Sequence, residues 1–427
     1  MPRVFTRGFN ALLVTQFFGA VNDNLFKQFI ILQVTAGGIW SDALGTGASG
    51  VVTALFTLPF ILFSGWAGQF GDRRSKRQVA VWMKIAEAPI AATALLGMLT
   101  GSLWISLAAL LGLALQSTYF GPAKYGMIPE ILPKESLGPA NGVINMLTNI
   151  AILCGVVLGG LASREYLDGH TWQPGAGMLA VAGIGLAASL FLQPLTPSDP
   201  SLKYDRTPVG PYLESLRYMA RDGILLWLCI GGALFYMVAV MIVDGLPDFK
   251  PVLGIDDAQA AYLNLPLVVG IGVGSVLAGY LFKGSARNLN SVPLGAAGMA
   301  GFLLAIGLTP MQADADSYRM LLAMLGGVGL FAGFFIIPFQ AIIQARAPDA
   351  LIGRVLGTYN FLNFVFIAAG GGLYKLLRAG IGLSVQESLL VVAGLAVAGP
   401  ALVLFRLRSM VFVRSNVEFP KAAELEG

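Results

Sequence analysis

The sequence predicts an all-α membrane protein with twelve transmembrane helices, arranged as two pseudo-symmetric six-helix bundles. Of the 427 residues, 56% are hydrophobic and only 12% are charged, whereas a soluble domain carries about 25% charged residues. The apolar residues also run together in segments of about twenty, the length that a helix needs to cross a bilayer. Strands of a membrane barrel alternate in shorter segments, so both a soluble protein and a membrane barrel are excluded.

Twelve apolar segments are long enough to cross the membrane. They lie near residues 9–35, 47–70, 78–100, 103–129, 138–162, 174–194, 223–246, 258–282, 291–311, 317–345, 350–376 and 384–406. The longest interior loop contains four prolines, which prevent a continuous helix, and residues 212–221 within it have the pattern of a short amphipathic surface helix. We therefore predict a bundle over 1–194, a cytoplasmic linker that acts as a tether over 195–222, a bundle over 223–408 and a cytoplasmic tail over 409–427.

Basic residues are distributed unequally between the two sides of the predicted bundle. If the amino terminus is cytoplasmic, most of the 27 Lys and Arg residues lie on the cytoplasmic side, as the positive-inside rule requires. The formal net charge of +4 therefore reflects membrane topology rather than nucleic-acid binding. We predict that both termini are cytoplasmic.

The two halves share a short motif, which is expected of a transporter built from repeats. It follows the fourth and the tenth predicted spans. Six pairs of identical residues match at one offset of 215, namely Pro133/Pro348, Gly138/Gly353, Gly142/Gly357, Asn145/Asn360, Leu147/Leu362 and Gly155/Gly370. Glycine-rich sequences can align by chance, but six identities in one ungapped register favour a true repeat.

A polar cluster interrupts the first span. Asn22, Asp23 and Asn24 are followed by Lys27, and a charge at the bilayer centre costs about 2.5–3.5 kcal/mol on insertion scales. Such residues turn toward the protein interior and mark a substrate or ion path. Asp23 and Lys27 are one turn apart and can pair, either to neutralise each other or to bind a zwitterionic group.

Further polar residues are predicted to face the interior. The fifth span carries Asn141, Asn145, Thr148 and Asn149 on one helical face, and the eleventh span repeats this pattern with Asn360 and Asn363. These side chains either join helices or line a water-filled cavity.

Two lysines in the predicted spans have different expected partners. Lys124 can reach the membrane interface, pair with Glu130 or bind an anionic group, whereas Lys84 and Glu87 have the spacing of a structural pair. All these ionisable residues belong to the first half. A polar half facing an apolar half suits an amphiphile, although an apolar drug would also fit.

The loop after the second span reads Gly68-Gln-Phe-Gly-Asp72-Arg73-Arg74-Ser-Lys76-Arg77. Gly68 permits close approach of two helices, and Asp72 can pair with arginines or lie near a helix amino terminus. The segment resembles the loop motif of the major facilitator superfamily, although Ser75 replaces a glycine that is usual there. The resemblance implies that Gly68, Asp72, Arg73 and Arg77 stabilise one transport conformation.

A narrower resemblance rests on three segments. Gln16-Phe-Phe-Gly-x-x-Asn-Asp23-Asn24, Gly121-Pro-Ala-Lys124-Tyr-Gly-Met-Ile-Pro-Glu130 and Ala140-Asn141-Gly142 resemble the bacterial lysophospholipid transporter family, a branch of the same superfamily. That family moves lysophospholipids, chiefly lysophosphatidylethanolamine, across the inner membrane for reacylation inside. The resemblance implies that Asp23, Asn24 and Lys124 line the cavity. The segment Asn145-Met-Leu-Thr148 departs from the Glu-containing segment expected there.

No catalytic pattern is present in the sequence. Some members of that family carry an acyltransferase domain with a His-x-x-x-x-Asp pair, but the single histidine here, His170, is followed by Gly175 at that spacing. Serine-triad and histidine–metal chemistry are excluded by the same count, and Cys154 and Cys229 lie inside apolar segments. We expect a transporter without cofactor or metal, monomeric, with a separate cytoplasmic acyltransferase as a candidate partner.

The prediction is a lysophospholipid transporter of the bacterial inner membrane that works by alternating access. Asp23, Asn24 and Lys27 would bind the head group and Lys124 the phosphate. Asn145, Asn149 and Asn360 complete the predicted substrate-binding set. The alternatives are an exporter of hydrophobic drugs, a transporter of a small metabolite coupled to protons at Asp23, a membrane enzyme, and a scaffold that binds lipid without moving it.

Overall fold

The computed structural model describes residues 4–35, 37–45, 47–205, 207, 209–281 and 289–414. Within these ranges twelve helices have 18 residues or more. Of the predicted tail, residues 409–414 belong to the last helix, and residues 415–427 lie outside the described part of the chain.

Six long helices form each half. The first half contains α1 (Arg7–Val34), α2 (Ala48–Arg73), α3 (Lys76–Thr100), α4 (Leu103–Ile131), α5 (Leu137–Leu167) and α6 (Gln173–Leu190). The linker contains α7 (Gly210–Asp222). The second half contains α8 (Ile224–Gly245), the short α9 (Lys250–Leu253) and α10 (Asp257–Tyr262), then α11 (Asn264–Leu281), α12 (Ser291–Leu308), α13 (Ala315–Arg346), α14 (Ile352–Lys375) and α15 (Val385–Arg414).

Among the described residues, eleven helices are long and apolar enough to cross a membrane. Although α1 has 28 residues, it is not among them. A helix of this length is about 42 Å long at 1.5 Å per residue, which exceeds the bilayer core. Its polar residues, and not its length, distinguish it from the other eleven.

Local structure repeats at the predicted offset. A short 3₁₀ turn, Lys134–Ser136, precedes α5, and Asp349–Leu351 precedes α14 at the equivalent position. Each turn follows a proline, Pro133 or Pro348, in extended conformation. The helices that follow begin at Leu137 and Ile352, which are equivalent residues of the two halves.

Each half has its own apolar core. In the first half the core includes Phe26, Phe29 and Leu110, all inaccessible to solvent. In the second half a larger core is built around Phe335 and Phe339. Each half is therefore a packed body that can move as a unit.

Glycines allow the halves to meet backbone to backbone along two seams. In the first seam, formed by α5 and α11, a Cβ on Gly142 would lie 2.4 Å from the carbonyl oxygen of Ser275. In the second seam, formed by α2 and α14, a Cβ on Gly357 would lie 2.3 Å from the carbonyl oxygen of Ser64. No larger residue fits such an approach, which is the usual role of small residues between membrane helices.

The seams are closed at one end of the molecule. Between the described parts of the two halves, hydrogen bonds and ring contacts lie on α2 from Phe60 to Asp72 and on α5 at Asn141. Their partners lie on the facing parts of α13 and α14. The halves are thus joined at the Asp72 end, and the outermost contact is the stack of Phe60 on Phe364 at 4.7 Å between centroids.

Candidate functional site

A cavity of about 340 Å³ lies between the halves, within the size range of small-molecule sites. Seven of its charged or polar lining residues come from α1, α3 and α4, and the others come from α5, α8, α13 and α14. Its polar lining residues are Gln16, Asp23, Asn24, Lys84, Ser117, Lys124, Tyr125, Thr148, Tyr236, Gln340, Gln344, Tyr359, Asn360 and Asn363. Of the predicted substrate-binding residues, Asp23, Asn24, Lys124 and Asn360 line this cavity, whereas Lys27, Asn145 and Asn149 do not.

Asp23 has a hydrogen-bond donor, and no cationic group of the described residues lies within ion-pair distance of its carboxylate. Ser117 Oγ donates to its Oδ2 at 2.6 Å, while Oδ1 is buried without a partner among the described residues. The predicted ion pair with Lys27 is not formed, because Lys27 Nζ lies 5.2 Å from the centroid of the Phe56 ring. An aromatic face is an alternative partner for a cation. One carboxylate oxygen of Asp23 is therefore free to accept a bond from a ligand.

The asparagines on either side of Asp23 have different roles. Asn24 lines the cavity, and its Nδ2 donates to the carbonyl oxygen of Ala20 at 2.8 Å. Asn22 turns away from the cavity and donates to Glu87 Oε1 at 2.7 Å, which joins α1 to α3. The polar cluster thus combines a ligand-facing part with a structural part.

Lys84 is a cavity residue that the sequence prediction missed. The predicted pair with Glu87 is confirmed, since Lys84 Nζ lies 2.6 Å from Glu87 Oε2 and both side chains are 1% exposed. Lys84 nevertheless reaches the cavity wall from α3. Gly19 leaves the space for it, because a Cβ at that position would lie 2.4 Å from Lys84 Nζ.

Lys124 brings an ammonium group to the cavity without a carboxylate partner. Its Nζ lies 4.2 Å from the centroid of the Tyr125 ring, and no carboxylate of the described residues is within ion-pair distance. The considered pair with Glu130 is not formed, because Glu130 binds Lys76 at 2.5 Å. The cavity therefore contains an unpaired anion at Asp23 and an unpaired cation at Lys124.

The polar stripe on α5 is mainly structural. Asn149 Nδ2 donates to Asn145 Oδ1 at 2.7 Å, so these two predicted binding residues satisfy each other. Asn141 and Gln344 exchange two hydrogen bonds across the seam, at 2.7 and 3.1 Å. Only Thr148 of this stripe lines the cavity.

The wall from the second half is polar but uncharged. Asn360 Nδ2 donates to Ser64 Oγ at 2.8 Å and so joins the halves as well as lining the cavity. Gln340 and Tyr236 also line it, with Gln340 Nε2 3.5 Å from Tyr236 Oη. Gln340 directly follows a long apolar run in the sequence. A polar residue at that place in a membrane helix could have identified it as a cavity residue.

The loop at the end of α2, residues 68–77, contacts the start of α14. Asp72 accepts hydrogen bonds from the backbone N–H groups of Gly353 and Arg354, at 2.6 and 2.9 Å, and from Arg354 Nε at 3.1 Å. The carboxylate thus lies at the amino terminus of a helix, where a negative charge is favourable. A Cβ on Gly68 would lie 2.5 Å from the carbonyl oxygen of Gly353, so the glycine permits this contact.

The two arginines that were predicted to act with Asp72, Arg73 and Arg77, have other partners. The Arg73 guanidinium lies 4.6 Å from the centroid of the Tyr204 ring. Arg77 Nε donates to the carbonyl oxygen of Leu192 at 2.8 Å. Both therefore hold segments beside the sixth helix and the linker, and the arginine that binds Asp72 is Arg354, from the other half.

The linker also contributes to the contact between the two halves. Arg354 binds Asp199 at 3.1 Å and Glu214 at 2.9 Å in addition to Asp72. Tyr212 Oη donates to the carbonyl oxygen of Ile61 at 2.8 Å. Further along the linker, hydrogen bonds from Thr207 lower the pKa of the Asp205 carboxyl group.

The sequence matches a known family of membrane proteins. Residues 12–371 match the family model of the Major Facilitator Superfamily. The chain belongs to the major facilitator superfamily. It is a membrane transporter and not an enzyme.

Relatives within the superfamily include proteins named lysophospholipid transporter LplT. The LplT protein of Klebsiella pneumoniae subsp. pneumoniae is 28% identical over 385 residues, which cover 88% of this chain and 90% of the relative. That of Pectobacterium carotovorum is 29% identical over 383 residues, which cover 87% of each chain.

Solved structures share the fold at low sequence identity. The Escherichia coli fucose:proton symporter FucP (N162A) aligns with a TM-score of 0.71 and 15% identity, covering 93% of this chain and 98% of its own. The human organic anion transporter MFSD10 aligns with a TM-score of 0.73 and 14% identity. The alignment covers 93% of this chain and 99% of MFSD10. These likenesses concern the fold of two six-helix halves.

Proposed function

We propose that this transporter moves lysophospholipids of the lysophosphatidylethanolamine type across the bacterial inner membrane. The observation that carries the proposal is the pair of unpaired opposite charges in one cavity. Asp23 has a free carboxylate oxygen and Lys124 an ammonium group without a carboxylate partner. A zwitterionic head group has an ammonium for the first and a phosphate for the second.

The apolar part of the cavity suits the rest of an amphiphile. Phe60, Phe364 and Ile367 line the cavity together with Ile343 and Leu356. Four of these five come from the second half, opposite the charged wall. Burial of a methylene group is worth about 0.8 kcal/mol, so an acyl chain along this wall would contribute much of the affinity.

The relatives support the same substrate class. The LplT proteins align over 87–88% of this chain, and their name specifies lysophospholipid as the substrate. Asn145 and Asn149 are paired with each other, so the proposed head-group contacts are Asp23, Asn24 and Lys124, and Lys84 is added to them.

The closed end gives the proposal a direction. The Asp72 end carries most of the basic loops, so we assign it to the cytoplasm by the positive-inside rule. With this end sealed, the cavity is accessible from the opposite side and would take up lipid there. Rocking of the halves would then release lipid toward the cytoplasm, where a separate acyltransferase is a candidate partner of the monomer.

Transport can be measured with labelled lysophosphatidylethanolamine in proteoliposomes. Albumin added outside extracts the lipid only from the outer leaflet, so extraction reports how much has crossed. We expect rapid loss of extractable lipid with the protein and slow loss in protein-free vesicles.

Competition and product analysis separate the alternatives. Unlabelled lysophosphatidylethanolamine should reduce the transport of the labelled lipid by competition, whereas a hydrophobic cation should not reduce it. Competition only by the cation would favour a drug transporter, and a new covalent lipid species would favour an enzyme. Lipid binding without any change in extractability would favour a scaffold.

A further inference from the structure

Two buried amide oxygens on the second-half wall lack hydrogen-bond partners. Gln340 Oε1 on α13 and Asn363 Oδ1 on α14 are both inaccessible to solvent, and no partner for them lies among the described residues. Both residues line the cavity and are 5% and 7% exposed. A buried polar group without a partner is unfavourable by the full cost of its desolvation, and in membrane segments such groups mark function.

Two of their polar neighbours already have hydrogen-bond partners. Gln344, one turn after Gln340 on α13, exchanges two hydrogen bonds with Asn141. Asn360, about one turn before Asn363 on α14, donates to Ser64. Tyr359 Oη, one turn before Asn363, also lines the cavity and is buried without a partner among the described residues. The two amide oxygens therefore belong to a small group of unpartnered polar atoms on the cavity-lining parts of α13 and α14.

We propose that Gln340 and Asn363 form a neutral subsite that accepts a hydrogen bond from the free glycerol hydroxyl of a lysophospholipid. The proposal rests on the function proposed above and specifies what the second half recognises. Both unpartnered atoms are acceptors, so the group that satisfies them must be a donor. The surroundings are uncharged, since the charged residues that line the cavity all belong to the first half.

The chemistry of the lipid explains why this subsite would give selectivity. A lysophospholipid has a hydroxyl at the glycerol carbon where a diacyl phospholipid has an ester. The ester offers only acceptor oxygens, so it could donate to neither amide oxygen, and it adds a second chain. A site built to bind a hydroxyl discriminates strongly against a ligand that lacks it, because its own polar groups then stay buried and unpaired.

The test compares two lipids that differ only in that hydroxyl. Unlabelled 1-acyl lysophosphatidylethanolamine and its 2-deoxy analogue compete with labelled lysophosphatidylethanolamine for transport by the wild-type protein. We expect the deoxy analogue to compete up to about tenfold less well, which is the effect of one neutral hydrogen bond. In the variant Gln340→Met with Asn363→Leu, the ratio of the two inhibition constants should fall to about one.

A matched control distinguishes this role from general packing. Gln344→Met makes the same change on the same helix at a side chain whose hydrogen bonds are already made. It should leave the ratio of the two lipids at its wild-type value, even if it lowers the transport rate. If the double variant is not recovered as a folded protein, Gln340→Met alone should reduce the ratio partway.

The outcomes separate the subsite from the proposed function. Equal competition by both lipids in the wild-type protein would overturn the subsite and leave lysophospholipid transport intact. Competition by neither lipid would overturn the proposed function. An unchanged ratio in the variants, with a tenfold ratio in the wild type, would show that other groups bind the hydroxyl.

Discussion

The two halves share a fold but differ in charge. The repeat aligns them at one offset, down to the 3₁₀ turns before α5 and α14. At the cavity, however, Asp23, Lys84 and Lys124 come from the first half, and the lining residues described for the second half carry no charge. The common scaffold therefore provides the cavity and its movement, while the difference between the halves provides the chemistry.

The two seams between the halves also differ in charge. Close glycine contacts occur in both, and beside the α5–α11 seam the uncharged amide side chains of Asn141 on α5 and Gln344 on α13 exchange hydrogen bonds. Between α2 and α14, Arg354 binds carboxylates from α2, the linker and α7. The second seam is consequently the one that a change of charge should open.

The largest effect should follow from removing the carboxylate of the charged wall. Asp23→Asn keeps the shape of the side chain, but it removes the negative charge that would meet the lipid ammonium. Truncating one partner of a buried charge pair costs about 2–5 kcal/mol, so transport should fall at least about thirtyfold. Proteoliposome transport is the measurement, and Asp316→Asn, whose carboxylate is exposed, is the control. Normal transport by Asp23→Asn would remove Asp23 from the site.

The next effect should be conformational. Asp72→Asn weakens the charged hydrogen bonds to Gly353 and Arg354, each worth about 1.5–3 kcal/mol when one group is charged. The population open at this end should rise at least about tenfold. Spin labels at the exposed positions Gln78 and Asp349 report the distance across this end.

Arg73→Gln is the matched control for that experiment. Arg73 is adjacent to Asp72 but stacks on Tyr204, so its loss should leave the distance distribution as in the wild type. A similar shift in both variants would mean that the loop charge as a whole, and not the contact of Asp72 with α14, closes the seam.

A smaller effect should distinguish two lysines of the first half. Lys124→Met removes a cation from the cavity and should weaken lysophospholipid binding about tenfold, within the 0.5–3 kcal/mol range of single mutations. Lys27→Met should change lysophospholipid binding less than about twofold, because Lys27 does not line the cavity and its ammonium group lies against the Phe56 ring. Binding of the lipid to the purified variants measures both. A larger loss of binding in Lys27→Met than in Lys124→Met would assign the head-group contact to Lys27.

The smallest effect should come from the apolar wall. Ile367→Ala removes three carbons that line the cavity, and about 0.8 kcal/mol per fully buried methylene sets the upper limit. We expect roughly threefold weaker binding of long-chain lysophospholipids and no change for short-chain ones. An equal loss for all chain lengths would indicate that this wall contacts the head group instead.

The fold could be predicted from the sequence because hydrophobic segments and their repeat are properties of the chain itself. The same holds for Asp23, Asn24, Lys124 and Asn360, since a polar residue in a membrane helix must turn inward. Which inward-facing residue meets a ligand depends on neighbours in space. The Lys27 ammonium lies over the Phe56 ring, and Asn149 donates a hydrogen bond to Asn145.

Residues that the sequence prediction missed depend on contacts between distant segments. Lys84 had a local partner in Glu87, which gave no indication that Gly19 leaves room for it beside the cavity. Arg354 lies 282 residues from Asp72, and only the packed seam brings the two together. Local patterns contain no information about such pairs.

The central claim is that opposite charges on the first-half wall bind the zwitterionic head of a lysophospholipid. The most direct measurement compares binding of lysophosphatidylethanolamine with binding of a monoacylglycerol of the same chain length, which lacks the charged head. We predict that the wild-type protein binds the lysophospholipid at least about tenfold more tightly and that Asp23→Asn with Lys124→Met abolishes the difference. Equal binding of the two lipids by the wild-type protein would contradict the account.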